Sequence, residues 1–450
     1  MRKAARSAYP LLLLLCIGFA GSSGPLLAQE DETAAQLSPP PSAVKAGAEP
    51  SGGSADRAGA GSVFDPVGAT EAYLAKVPAD KRAKSDAYFE GGYWLQLWDF
   101  LYGLGVAAFL LAGRVSFRIR NLAERITRRR PLQTVLYWVP YLVLATLLVF
   151  PMTVYESFFR EHQYGLATQT FGPWLWDQLK GLAVSLVLGA LLVTLLYGIV
   201  RRTPRTWWIW GSTVTVAFQM FVAMIVPVYI APLFNTYTKL ADASVSDPIL
   251  SMARASGIAT SDVFEMDASR QTTRVSANVS GFLGTERITL NDNLLKRCAL
   301  PEIQAVMGHE MGHYVLNHVY EGVLEFGVII VLGFVFLRWG FDWVLLRWGG
   351  SWGITGIGDL AGLPLAVAVF SVFMFLMTPV VNTVIRANEA EADIFGLNAS
   401  GQPDGMAEVA LKLGEYRKLA PGPVEEFVFF DHPSGRNRIL MAMKWKAEHR

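Results

Sequence analysis

Six histidines occur in the 450-residue chain, and two of them stand four apart in His309-Glu310-Met311-Gly312-His313. Residues four apart share one face of a helix, so both imidazoles can bind one metal ion. Glu310, on the neighbouring face, can reach a water held by that ion. Zinc in such a motif polarises the water and a scissile carbonyl, while the glutamate takes the water's proton and passes it to the leaving amine. The bland reading is a polar helix turn with two satisfied histidines. Against it, the motif leads straight into an apolar stretch, where idle ionisable residues are costly. A catalytic zinc needs a third protein ligand and one open position. His318 is five residues past His313 and, at about 100° of rotation per residue, lies roughly opposite His309. It therefore reads as an interfacial or supporting histidine and not as the ligand. The segment 382–393 offers a better donor. Glu389 and Asp393 are four apart on one face, whereas Glu391 points elsewhere. Glu389 would bind zinc, and Asp393 would accept a hydrogen bond from the far nitrogen of a zinc-bound histidine, fixing its tautomer. Alone, that acidic string is more often a solvated helix face; beside HEMGH it becomes the favoured ligand source.

The elements that must position these groups are those of a membrane protein. The chain is 52% hydrophobic and 17% charged, against about 25% charged for an average soluble protein. A net charge of +1 argues against a nucleic-acid partner and against a disordered polyelectrolyte. The two cysteines, Cys16 and Cys298, exclude a disulfide framework and a cysteine zinc site. Apolar stretches of about 20 residues, enough to cross the hydrocarbon as helix, fall near 95–113, 135–153, 182–200, 207–230, 323–345 and 360–381. The expected fold is mainly α: a polytopic transmembrane bundle of six to seven spans with an inserted small α+β zincin-like catalytic domain. Its divisions are a signal peptide or signal anchor (1–29), a low-complexity linker (30–63) and a juxtamembrane amphipathic segment (64–94). Then come four spans (95–233), the insertion carrying HEMGH (234–320), two further spans (321–381) and a C-terminal part with the third ligand (382–450). Within the insertion, Val263–Met266, 275–281 and 287–290 read as short strands, with helices beginning at Asp292 and at Pro301. Tyr88, Phe89, Tyr93, Trp94 and Trp98 form an aromatic cluster suited to the membrane–water boundary.

Several further motifs, in order, carry a resemblance. Glu161-His-Gln-Tyr-Gly-Leu precedes the third span, and Pro227-Val-Tyr-Ile-Ala-Pro-Leu-Phe-Asn closes the fourth. Arg287-Ile-Thr-Leu-Asn-Asp-Asn-Leu-Leu stands ahead of Gly308-His-Glu-Met-Gly-His-Tyr-Val-Leu-Asn-His. Asn382-x-x-x-Arg-x-x-Glu-x-x-Ala-Asp and His432-Pro-x-x-x-x-Arg-Ile complete the set. In these the chain resembles the type I CAAX prenyl protease family, integral-membrane zinc metalloproteases of the gluzincin type. The resemblance implies one Zn2+ per chain on His309, His313 and Glu389, with Glu310 as general base. It implies that His432 contacts the substrate carbonyl or oxyanion and that Arg438 pairs with acidic groups at the site. Residue chemistry alone would make His432 a loop histidine before a proline. In the family an Asn-Ala-Tyr sequence marks the edge strand of the cleft; here Ser276, Ala277 and Asn278 stand in its place. Ile385 stands where a serine usually precedes the arginine.

The activity expected is zinc-dependent hydrolysis of peptide bonds in a peptide or protein substrate, with or without a lipid on it, beside the bilayer. Removal of the C-terminal tripeptide from a prenylated cysteine is what the resemblance implies; quality control of membrane or exported proteins is the alternative. A transporter would need an intramembrane ionisable set or paired broken helices, neither of which is visible. An inactive zinc scaffold is opposed by the intact Glu310. Arg114, Arg118, Arg120, Arg125, Arg128, Arg129 and Arg130 follow span one, and Arg201, Arg202 and Arg205 follow span three. The positive-inside bias places those short loops in the cytoplasm. The catalytic parts then lie on the extracytoplasmic side of an inner or plasma membrane, whereas the family's eukaryotic members are expected to open toward the cytoplasm.

Overall fold

The structure, a computed structural model, describes residues 64–280 and 286–450. The expected signal segment and linker, and with them any seventh span, lie outside the described residues. Helix α1 (Pro66–Leu74) begins where the Asp65 carboxylate accepts from the Val67 amide, with proline in the first turn. Helix α2 (Ala79–Ala112) is continuous, so the boundary expected at 94/95 falls inside one helix. Its first half packs on the C-terminal region: Phe89 rests against Phe430, and Tyr93 stacks on Phe429 with centroids 3.9 Å apart. The aromatic cluster is therefore split by helix face. Tyr88 and Phe89 are buried in protein, and only Trp94 and Trp98 turn outward, 66% and 56% exposed.

A short helix α3 (Val115–Ile126) precedes α4 (Arg130–Val154), which continues through a π turn to Gln163. Then come α5 (Phe171–Arg202) and α6 (Trp207–Ile225). Pro227 and Pro232, which cannot donate to a helical ladder, coincide with the π and 3-10 turns that extend α6 to Leu233. The insertion holds β1 (Tyr237–Lys239), α7 (Ala243–Ala255), β2 (Val263–Met266), β3 (Ala277–Ser280), β4 (Arg287–Asn291), α8 (Asp292–Arg297) and α9 (Leu300–Val315). It is followed by α10 (His318–Trp352), α11 (Leu363–Leu376) and α12 (Thr378–Ser400). The chain ends with α13 (Pro403–Leu413), α14 (Pro423–Phe429) and α15 (Gly435–Glu448).

Among the described residues five helices are long and apolar enough to cross a membrane: α2, α4, α5, α6 and α10 with their extensions. The sixth expected span is a bent pair. Residues 360–376 meet α12 at 57°, with Pro379 in the first turn of α12 unable to continue the ladder. The inner faces of the spans interlock around Tyr137, Trp138, Leu142, Leu192 and Val222, and around Phe334, Phe341 and Phe370. Their outer faces leave Leu147, Val187 and Leu324 more than 60% exposed, as lipid contact requires.

The four-stranded sheet runs β1-β2-β4-β3, with β2 and β4 parallel and the other pairs antiparallel. Its apolar face, Val263, Ile288 and Leu290, closes on α9 through Ile303, Met307 and Met311. A buried ionic triad fastens this domain to the membrane helices. Arg274, just before β3, pairs with Glu161 at 2.9 Å, and Tyr88 of α2 donates to Glu161 at 2.7 Å. At the other end of the spans Arg120 pairs with Asp359 at 2.9 Å and Arg201 donates to the Gly358 carbonyl. The arginine-rich connections thus share one end of the bundle, and the catalytic parts the other.

Candidate metal centre

Helix α9 starts with Pro301 in its first turn, and the Glu302 carboxylate accepts from the Ala299 amide at 2.6 Å. One side of α9 faces the sheet through Met307 and Met311; the other lies against α12 along Gly308 and Gly312. The approach there is very close. A Cβ on Gly308 would lie 2.8 Å from the Gly396 carbonyl oxygen, and one on Gly396 would lie 2.7 Å from the His309 amide nitrogen. Only residues without a Cβ allow this crossing, and the crossing carries Glu389 across to the two histidines.

His309 Nε2 and His313 Nε2 are 3.2 Å apart. Glu389 Oε2 lies 3.3 Å from His309 Nε2, and Glu389 Oε1 lies 3.5 Å from His313 Nε2. Zinc bonds of about 2.0–2.1 Å set the corners of a tetrahedron about 3.3–3.4 Å apart, so the three donors fit zinc. The far sides of the imidazoles agree. His309 Nδ1 is 2.8 Å from Asp393 Oδ1, and His313 Nδ1 is 2.9 Å from His318 Nδ1. With both Nδ1 atoms donating, two Nε2 lone pairs face each other and a carboxylate, which a cation between them makes favourable.

Arg438 binds both acids from behind, Asp393 Oδ2 at 2.8 Å and Glu389 Oε2 at 3.1 Å. Asp393 is 1% exposed, and Glu389 and Arg438 are 7% each. Ser434, whose hydroxyl accepts from the Asn437 amide, starts α15 and sets Arg438 on the inward face. His432 Nε2 lies 3.2 Å from Glu389 Oε2 and its Nδ1 3.0 Å from Asp431 Oδ1. Burial and the Arg417 charge hold His432 below its ordinary range, with Glu389 and Asp431 opposing. Burial pushes the Glu310 carboxyl up to about 7; His309 and Arg438 pull it down and Glu389 adds to the rise.

The structure therefore brings together His309, His313, Glu389, Asp393, Arg438 and His432. His318 meets His313 for a reason the helical rotation did not anticipate. The helix breaks at Asn317, whose φ is +62°, and the new helix returns His318 to the back of His313. Asp431 is the residue that sequence reasoning missed; its only signal was adjacency to His432.

Ala277 and Asn278 open β3, which occupies the edge of the sheet and packs on α9, and Ser276 immediately precedes it. The Asn291 amide donates to the Ser276 carbonyl at 2.9 Å, and Asn278 stands opposite Thr289. Antiparallel pairs alternate, so Ser276 and Asn278 turn their backbone toward β4, and Ala277 and Val279 turn theirs toward the open edge. Ser276 and Asn278 consequently offer no backbone amide to anything lying along that edge.

Comparison with known proteins agrees with this architecture. Residues 69–236 match the family model for the CAAX prenyl protease N-terminal region of five membrane helices, and 239–446 match peptidase family M48. The metalloprotease YhfN of Bacillus subtilis is 30% identical over 77% of this chain and 83% of its own. A CAAX prenyl protease 1 homolog of Oryza sativa is 27% identical over 67% and 71%. The crystal structure of Ste24p from S. mikatae superposes with a TM-score of 0.69 at 21% identity, covering 82% of this chain and 89% of that one. The chain belongs to the CAAX prenyl protease family of M48 peptidases and is an integral-membrane metalloprotease.

Proposed function

We propose that the protein is a zinc endopeptidase that cleaves membrane-inserted or exported proteins at the extracytoplasmic face of an inner or plasma membrane. The observation that carries the chemistry is the triangle of donor atoms at 3.2, 3.3 and 3.5 Å, with each histidine held from behind. His309, His313 and Glu389 would hold the zinc. Bound there, zinc supplies Lewis-acid polarisation of a water and of the scissile carbonyl. Glu310, its carboxyl raised by burial, takes the proton from the attacking water and delivers it to the leaving amine. His432 faces the same centre, where a proton on Nε2 would donate to the carbonyl oxygen as its charge develops. Asp393 keeps His309 in the tautomer that ligates, and Arg438 pairs with both Asp393 and Glu389 and offsets part of their buried charge. The open edge of β3 suits an extended substrate, which would add as a further strand beside Ala277 and Val279.

The substrate class follows from sidedness. Seven arginines from the end of α2 to the first residue of α4, and three from the last turn of α5 to the connection before α6, lie at the end opposite the metal centre. The positive-inside bias supports assigning that end to the cytoplasm. A prenylated C-terminus is the second reading, favoured by relatives whose names describe CAAX prenyl proteases. Two measurements separate them. Ala420, exposed in the C-terminal part, is replaced by cysteine in a cysteine-free background and probed with a membrane-impermeant thiol reagent. Labelling in intact cells supports the extracytoplasmic site; labelling only after lysis reverses it. Glu310→Gln expressed in native membranes should co-purify membrane-protein or exported-protein segments, and prenylated C-termini in their place would establish the second reading.

A further inference from the structure

His318 completes a second set of donors behind the metal centre. His318, Glu321 and Glu391 each offer one atom, and the three atoms lie within 4.8 Å of one another. His318 Nε2 and Glu391 Oε2 are 3.5 Å apart. The two glutamates alone would be ordinary. Glu321 sits in the first turn of α10, where the helix end favours a carboxylate, and Glu391 lies on an exposed face of α12. His318 is different. It is 7% exposed, and its Nε2 is buried with no hydrogen-bond partner among the described residues. A buried polar atom left so is destabilising, and a cation in front of it would remove that penalty.

We propose that His318, Glu321 and Glu391 form a second divalent-cation site, and that an ion bound there weakens zinc binding at His309, His313 and Glu389. One imidazole nitrogen with two carboxylates suits zinc and related transition ions; calcium and magnesium prefer oxygen donors throughout. The site stands independently of the zinc-peptidase reading, and the antagonism rests on that reading.

Antagonism follows from the single hydrogen between His313 Nδ1 and His318 Nδ1, 2.9 Å apart. When His313 Nε2 offers its lone pair to the first site, His313 Nδ1 carries the hydrogen and donates to His318 Nδ1. Neutral His318 then bears its own hydrogen on Nε2, facing Glu391. When a cation takes His318 Nε2, that hydrogen leaves and His318 Nδ1 becomes the donor. His313 Nδ1 must now accept, so a hydrogen is taken up on His313 Nε2 and the first site loses a ligand. The proton released at one end equals the proton gained at the other. Filling both sites at once leaves one hydrogen between two ligating imidazoles, so one of them must be an anion or the Nδ1–Nδ1 bond must break, which is why the second ion opposes the first.

The test uses the full-length protein in detergent, dialysed against a series of free zinc concentrations. Bound zinc is counted by mass spectrometry, and cleavage of a peptide is followed in parallel. The wild type should take up one tight zinc with full activity, then a weaker second zinc with activity falling as it fills. Glu321→Gln should bind the second zinc at least about tenfold more weakly, the lower end of what altering a metal's surroundings does to affinity. Its activity should persist across the range that inhibits the wild type. Glu389→Ala, stripped of the first site, should bind zinc at the second more tightly than the wild type does. Saturation of the wild type at one zinc, or two zincs still bound by Glu321→Gln with wild-type affinity, overturns the site. A second zinc that fills with activity undiminished overturns the antagonism. Tight zinc retained by Glu389→Ala with wild-type stoichiometry overturns the first-site assignment instead.

Discussion

Gly396→Ala adds one methyl group where α9 and α12 touch. Its carbon would lie 2.7 Å from the His309 amide nitrogen and 3.0 Å from His309 Cα. Unstrained contact between carbon atoms is about 3.5–4.0 Å, so the shortfall is roughly 0.8 Å. The opposing atoms are backbone, with no rotamer to yield, and the helices must separate. His309 and His313 share α9 and keep their 3.2 Å spacing. Glu389 sits on α12, two turns from Gly396, and its 3.3 and 3.5 Å edges to the histidines open. Zinc binding must then draw the helices back against the methyl group. Overpacking of this kind costs about 1–3 kcal/mol, which corresponds to a loss of about 5- to 150-fold in zinc affinity. Competition between the purified protein and a chromogenic chelator measures it, with Gly198→Ala as control because a Cβ there meets nothing within 4 Å. A Gly396→Ala protein that folds and binds zinc as the wild type does would refute the claim that this crossing sets the third ligand.

Three further outcomes are expected. Arg274→Met takes from Glu161, 2% exposed, the guanidinium 2.9 Å away, and should lower stability to denaturant by about 3–5 kcal/mol. The double replacement Arg274→Met with Glu161→Met should recover most of that loss, and a double variant worse than the single would remove the ion pair from the account. Val279→Pro takes away an amide on the open edge of β3, so KM should rise or cleavage cease with zinc still bound; Asn278→Pro should instead loosen β3 from β4, and unchanged kinetics in Val279→Pro would dismiss strand addition. Asp393→Asn should weaken zinc affinity or rate by about 10–100-fold, and full retention of both would show that His309 is oriented by something else.

Read residue by residue, the sequence disclosed what depends on short-range periodicity, while His432 and Arg438 came only through the family resemblance. Two histidines and a glutamate within one helix turn, and an acid with its partner four residues on, are fixed by helical geometry alone, so His309, His313, Glu389 and Asp393 were legible. The six apolar stretches were legible because their length is set by the bilayer, although the bend before Pro379 was not expected. Long-range matters were hidden. His318 was placed by continuing a helix that the left-handed Asn317 interrupts. Tyr88 and Phe89 looked like membrane-boundary residues because nothing local reveals that Phe430 and Glu161 lie against them. The direction of the amides along β3 depends on register with β4, which the alternation of residues in one strand cannot supply. Strand β1, three residues long in a polar stretch, carries too little pattern to be seen. The reason for glycine at 308 and 396 emerged only with the helix crossing.

The central claim is that one zinc sits on His309, His313 and Glu389 and that Glu310 moves the proton. Zinc content and peptide cleavage, measured together on the wild type, Glu310→Gln and Glu389→Ala, test it most directly. The account predicts one tight first-site zinc with turnover in the wild type, the same tight zinc without turnover in Glu310→Gln, and loss of that first-site zinc and of turnover in Glu389→Ala. Turnover surviving in Glu310→Gln, or full zinc occupancy in Glu389→Ala, would contradict it.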